Sequence, residues 1–157
     1  GYRTATFTSP HLIDYRERIR IDGVMVSAAS LIAAFERIAA ALGSDSLTFF
    51  EFNTAAALLI FETACPDVIV LEVGLGGRLD SVNVVDADVP VVVSIGLDHM
   101  DWLGPDEESI GREKAGIFRP GRPAVFGSPQ PPQSHLQKMI WRLSFSVTIL
   151  SPTDVPQ

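Results

Sequence analysis

The sequence predicts an α/β fold, a mostly parallel sheet flanked by helices, and three observations carry that prediction. Two continuous apolar runs rich in β-branched residues, at 68–73 and 89–95, read as central parallel strands covered on both faces. Segments of helical period at 27–42 and 48–64 lie among strand-like stretches, and alternation of the two element types marks the α/β class. A length of 157 residues suits one respectable core, so a single domain is expected.

Taken along the chain, residues 2–8 are rich in Thr and aromatics and predict a strand, stopped by Ser9-Pro10. Residues 18–21 alternate polar with apolar, and Asp22-Gly23 ahead of residues 24–26 signals a hairpin. Ser27 suits an N-cap for a helix to about Leu42, with Leu31, Phe35, Ile38 and Leu42 on one stripe and Gly43 at its end. The next helix, 48–64, is apolar nearly all round, which predicts burial. Gly104-Pro105-Asp106-Glu107-Glu108 predicts a helix start with Pro at the first helical position and acids in the first turn. That helix carries Arg112, Glu113 and Lys114. Residues 123–126 suggest a short strand, 128–133 a turn or linker, 135–143 a helix and 146–150 a last strand.

Composition excludes several classes. A net charge of −7 has the wrong sign for a nucleic-acid or anionic-membrane partner. No stretch approaches the roughly 18 apolar residues of a membrane span, and no signal peptide is visible. Cys65 is the only cysteine, so neither an intramolecular disulfide nor a thiolate metal cluster can form within the chain. A reducing, cytoplasmic setting is expected, with Cys65 a small buried thiol.

The chemistry concentrates at strand ends. In open α/β sheets ligands sit beyond the carboxyl ends of the strands, where Glu72 and His99 should emerge. A carboxylate and an imidazole there can bind a divalent cation, and a Ser hydroxyl completes an oxygen-rich shell suited to Mg²⁺ or Mn²⁺. Singly, each has a plainer reading: His99 as a hydrogen-bonded, partly buried histidine, Glu72 as an ion pair with Arg78. His11, after Ser9-Pro10, reads as structural. Lys114 reads as solvated or paired with Glu113 or Glu108 along its helix, and only burial beside a metal would make it nucleophilic towards CO₂. Gly74-Leu75-Gly76-Gly77 fails both glycine-rich phosphate patterns, because Leu79 stands where a third glycine is needed and no Gly-Lys-Ser/Thr follows. It reads as a tight turn.

Five segments, in order, carry a resemblance: Thr8-Ser9-Pro10-His11-Leu12; Leu47-Thr48-Phe49-Phe50-Glu51; the run Leu71-Glu72-Val73-Gly74-Leu75-Gly76-Gly77-Arg78-Leu79-Asp80-Ser81-Val82-Asn83; Leu97-Asp98-His99-Met100-Asp101-Trp102-Leu103-Gly104; and Arg112-Glu113-Lys114-Ala115-Gly116-Ile117-Phe118. They resemble the bifunctional dihydrofolate synthase/folylpolyglutamate synthase family, folate relatives of the Mur ligases. The resemblance implies part of a Mur ligase-like P-loop ATPase domain. Residues 1–127 would be its central part, without the upstream phosphate loop, and 128–157 a divergent or truncated tail. It implies an ATP-dependent amide ligase that adds L-glutamate to dihydropteroate or a folate through an acyl phosphate. It also implies Ser9, Glu72 and His99 as magnesium ligands, a carbamylated Lys114, and pteroate contacts at Thr48, Phe49, Phe50, Glu51, Leu79, Asp80 and Ser81. His99 and Lys114 are then the catalytic candidates. With no ATP phosphate loop in the chain, these residues alone are expected to bind ATP poorly and not to turn over. Two alternatives stay open: a Mur-type peptidoglycan ligase fragment, and a non-catalytic metal- or ligand-binding module.

Overall fold

The computed structural model of the chain describes residues 1–127 and 147–149. Where length alone predicts one domain, the chain divides into two compact units, Gly1–Gly74 and Leu75–Gln157.

The first unit holds β1 (Thr4–Phe7), β2 (Ile19–Ile21), β3 (Val24–Met25), α1 (Ala28–Leu42), α2 (Phe49–Ala64) and β4 (Val68–Leu71). Its sheet runs β3-β2-β1-β4, with β1 antiparallel to β2 and parallel to β4. Asp22 (φ 50°) and Gly23 (φ 77°) form the predicted hairpin turn, both left-handed as a two-residue type I′ turn requires. Helix α1 starts where expected, the Ser27 hydroxyl accepting the Ser30 N–H at 3.0 Å. Helix α2 starts with a capping box. Glu51 N–H donates to the Thr48 hydroxyl at 3.3 Å, and the Glu51 carboxylate accepts the Thr48 N–H at 2.7 Å. Both helices turn apolar faces inward. Ala5, Phe7 and Ile19 of the sheet are buried, as are Leu31, Ala34 and Ile38 of α1 and Ala56, Ala57, Ile60 and Phe61 of α2. Burial of that apolar area is what holds the sheet to the helices.

Two expectations fail in this unit. Strand β4 is not covered on both faces: Val68, Ile69 and Val70 are exposed, Val70 by 53%. It lies at the edge of the sheet, paired only with β1 among the described residues, while α2 packs against β1. Cys65 is exposed rather than buried, because it ends α2 in a left-handed turn (φ 47°) that leads the chain outward into Pro66.

The second unit holds a 3₁₀ turn Ser81–Val84, β5 (Val91–Val92), α3 (Met100–Leu103), α4 (Glu107–Ala115), β6 (Ala124–Phe126) and β7 (Val147–Ile149). Its sheet is wholly parallel, in the order β5-β6-β7. Val92, Ala115, Phe118, Ala124 and Phe126 form its core, with Ile95 and Ile117 packed against them. The expected strand at 89–95 shrinks to Val91–Val92, because its neighbour β6 offers only three residues before Gly127. Helix α4 begins two residues later than predicted, at Glu107. Asp106 is the N-cap, accepting the Ser109 N–H at 2.7 Å, and Pro105 stands just outside. Gly104 has no side chain to compete for that role. The helix expected at 135–143 lies outside the described residues, whereas β7 matches the last predicted strand.

Candidate functional site

In the first unit the parallel register of β1 and β4 does the placing. Phe7 pairs with Leu71, and the Glu72 N–H extends the ladder to the Phe7 carbonyl at 2.9 Å. Both strands therefore end together. Ser9, two residues past β1, donates its N–H to the Glu72 carboxylate at 2.7 Å. Arg78 is engaged by Glu113 at 3.0 Å, and Glu72 is exposed, leaving its second oxygen and the Ser9 hydroxyl as hard oxygen donors at one strand end. Two such donors suit Mg²⁺, which takes one or two protein carboxylates and completes its shell with water and phosphate. Among the described residues, no cluster of three or more His, Cys, Asp or Glu could hold a metal by itself.

Behind this strand end lies an aromatic and cationic cluster the sequence reading missed. The 3₁₀ turn Tyr15–Arg18 is capped by Asp14, whose carboxyl is pushed down to about 2 chiefly by its side-chain hydrogen bonds with Arg16. Arg18, at the end of that turn, is only 7% exposed. Its guanidinium carbon sits 5.8 Å from the Tyr15 ring centre and 5.3 Å from that of Phe49, and its Nε–H donates to His11 Nδ1 at 2.9 Å. A cation that deep needs such partners. The Arg-Ile-Arg-Ile alternation predicts a solvated Arg18. The usable signal was Tyr15 three residues before it, on a turn that brings the two together.

The segment 48–51 divides its labour. Thr48 and Glu51 spend their polar groups on the α2 cap, and the Thr48 hydroxyl lowers the Glu51 pKa. Phe50 packs on Phe7 with ring centres 5.6 Å apart, and its ring fills the space that a Cβ on Gly74 would occupy. Phe49 alone presents an open ring, 61% exposed.

In the second unit, Asp80 is a structural hub. One carboxylate oxygen accepts the Val82 N–H at 2.9 Å, capping the turn Ser81–Val84, and the other accepts the Leu75 N–H at 3.0 Å. Leu79 beside it is exposed and Ser81 half-buried. The glycine-rich run is the tight turn expected of it. A Cβ on Gly77 would stand 2.9 Å from the Lys114 carbonyl and 3.0 Å from that of Glu113. His99 is exposed and left-handed (φ 51°), heading α3, with Nε2 3.8 Å from Asp98. It is not the partly buried, hydrogen-bonded histidine of the plainer reading. Lys114 is half-buried in the last turn of α4 and forms no ion pair among the described residues, since Glu113 is held by Arg78.

No family model matches the chain. It is 55% identical over 134 residues to the dihydrofolate synthase/folylpolyglutamate synthase of Escherichia coli, covering 85% of this chain and 32% of that protein. It is 42% identical to a folylpolyglutamate synthase of Arabidopsis thaliana, covering 98% of this chain and 26% of that one. Among solved structures, E. coli FolC in complex with DHPP and ADP superimposes with a TM-score of 0.87 at 51% identity, over 92% of this chain and 36% of that one. A bifunctional folylpolyglutamate synthase/dihydrofolate synthase with Mn, AMPPNP and L-glutamate bound gives 0.86, also at 51% identity, over 94% and 36%. The chain thus spans between about a quarter and about a third of the length of these relatives. In sequence and in its Mur ligase-like α/β fold, it is a segment of the dihydrofolate synthase/folylpolyglutamate synthase family.

Proposed function

We propose that these residues belong to an ATP- and divalent-cation-dependent ligase that joins L-glutamate to dihydropteroate or a folate through an acyl phosphate. The observation that carries the reading is the meeting of Ser9 and Glu72, 2.7 Å apart at paired strand ends, within a chain 55% identical to a synthase of that name. Ser9, Glu72 and His99 would hold Mg²⁺, and the chemistry it would supply there is positive charge to offset that of the phosphate groups. Lys114, half-buried and free of an ion pair among the described residues, is the candidate for carbamylation. Phe49 would offer its open ring to the pterin or benzoyl group. Phe50 would set the wall behind it. Asp80, with Leu79 and Ser81 beside it, would shape the loop that meets the substrate. Thr48 and Glu51 would act by fixing the start of α2.

Residues 1–127 are read as the central part of the ATP-binding domain and 128–157 as its divergent end. The partners are small molecules: ATP, L-glutamate and dihydropteroate or folates. The acidic net charge argues against nucleic acid. No helix among the described residues is long and apolar enough to cross a membrane. A single cysteine, with no disulfide partner in the chain, supports a cytoplasmic setting.

Ligand competition tests the reading. The 157-residue chain should bind dihydropteroate, and a pteroate analogue should displace it while a UDP-sugar should not. Displacement by the UDP-sugar alone would move the assignment to a peptidoglycan-type ligase. The same chain should show no ATP-dependent glutamate ligation, and turnover would refute the expected need for a separate phosphate loop.

A further inference from the structure

We infer that Arg18 holds His11 as the neutral Nε2–H tautomer, and that this N–H donates to an acceptor oxygen of an aromatic ligand seated on Phe49. The inference rests on the proposed role of Phe49 in binding the pteroate substrate, and it adds a residue which that reading does not contain.

The tautomer follows from donor bookkeeping. A guanidinium has donors and no acceptor, so the 2.9 Å contact from Arg18 Nε requires a lone pair on His11 Nδ1. The proton of the neutral ring then sits on Nε2. Arg18 cannot easily swing away to release it. It is buried, with the Tyr15 and Phe49 rings at 5.8 and 5.3 Å, and its own carbonyl accepts the Thr8 N–H at 2.9 Å. The imidazole is steadied too, its ring centre 5.4 Å from that of Tyr15.

The far nitrogen is what remains. His11 Nε2 has no hydrogen-bond partner among the described residues, and it is not among their buried unsatisfied atoms, so it reaches solvent. Its surroundings are open, with exposed apolar side chains on one side and the Asp14 carboxylate close enough to interact with the ring. Leu12 and Ile13 follow it as exposed side chains, and Phe49, sharing Arg18 with His11, exposes most of its ring. A fixed donor among exposed apolar groups suits a flat aromatic molecule bearing a carbonyl or carboxylate oxygen. That is the chemistry of a pteroate. Ser9, two residues before His11, ties the same loop to Glu72.

Histidine-selective ¹⁵N labelling of the 157-residue chain reads the tautomer directly. Long-range ¹H–¹⁵N correlations should show His11 bare at Nδ1 and protonated at Nε2, and Arg18→Met should abolish that bias. A ring protonated at Nδ1 in the unmodified chain would overturn the inference without any variant needing to fold. Dihydropteroate should then shift the His11 Nε2 signal. His11→Phe should weaken its binding about tenfold, the equivalent of one hydrogen bond of about 1.4 kcal/mol, and His11→Gln, which keeps a donor, should recover part of the loss. Dihydropteroate that moves the Phe49 and Phe50 amides, yet leaves His11 and the His11→Phe affinity unchanged, would overturn the donor role and leave the pteroate reading standing. No movement at any of these positions would overturn both.

Discussion

The two units of this chain reach order by different means. Residues 1–74 rely on two helices laid over a sheet, with ten apolar side chains named above closing a continuous core. The described residues from Leu75 onward bury less regular structure and lean on ties between loops. Arg119 donates to the side chain and carbonyl of Asn83 and pairs with Asp86, Arg122 pairs with Asp88, and Arg78 pairs with Glu113. Glycines replace side chains where backbone meets backbone, at Gly77 against the end of α4 and at Gly116 against Arg78. The first unit is apolar packing that carries the proposed cation ligands Ser9 and Glu72 at its strand ends. The second is a set of loops shaped in part by a proposed site segment, since Asp80 is a structural and a candidate functional residue at once.

The largest effect should come from the packed unit. Phe7 is fully buried in β1, between two paired strands and against Phe50. Phe7→Ala should destabilise this unit by about 3–5 kcal/mol, the usual cost of an aromatic cavity. Amide exchange in denaturant checks it residue by residue. Ala5, Ile19 and Phe61 should lose protection well before Ile110, Phe118 and Phe126. Equal loss in both sets would show that the division into units has no energetic meaning.

Where one local signal decides an element, the sequence was readable. Asp22-Gly23 announced its turn and Ser27 its helix, because each depends on neighbours within four residues. The Ser9–Glu72 meeting was legible only as an expectation, since it depends on a parallel register between residues 63 apart. What stayed hidden were pairings in which a charged group sits in a place its local pattern denies. Arg18 is buried inside an alternating strand pattern that assigns it to solvent. Arg78 pairs with Glu113, 35 residues on. Sequence periodicity reports which face a residue occupies, and it is silent about which distant partner makes a charge tolerable there.

A smaller effect should test the loop-held unit. A methyl on Gly77 would meet two backbone carbonyls at 2.9 and 3.0 Å, and carbonyls at a helix end cannot turn aside as a side chain can. The Arg78 N–H to the Glu113 carbonyl, at 2.8 Å, would be disturbed as well. Gly77→Ala should cost about 1–3 kcal/mol as overpacking. Glu113→Gln removes the partly exposed ion pair without crowding the backbone, and should cost under about 1 kcal/mol. Thermal melts of the two variants give the comparison. If Glu113→Gln cost more than Gly77→Ala, charge pairing rather than close backbone contact would be what shapes the glycine-rich turn.

Acid should separate the units by the smallest margin, and the direction follows from where the lowered carboxylates lie. Among the described residues, Asp14, Glu17 and Glu51 titrate below their ordinary values in the first unit, and Asp106 alone in the second. Asp14 is lowered chiefly by the Arg16 side chain, Glu17 by the backbone N–H of Asp14 and then Leu12 and Ile13, and Glu51 by the Thr48 hydroxyl. A carboxylate with a lowered folded pKa contributes stability that is fully present above its unfolded value and lost as pH falls through the folded one. The unfolded values are near 4.5 for Glu17 and Glu51 and 3.8 for Asp14, and the folded value of Asp14 is about 2. The window therefore opens just below pH 4.5 and runs down to about 2. Within it, the amides of Leu12, Ile13 and Asp14 should shift as Glu17 takes up its proton and releases their hydrogen bonds, and Thr48 should follow Glu51. Because Leu12 and Ile13 adjoin His11, the same titration should loosen the loop that presents its Nε2–H. Amides of Leu12, Ile13 and Asp14 that stay still across this window would show that the Glu17 carboxylate does not hold them.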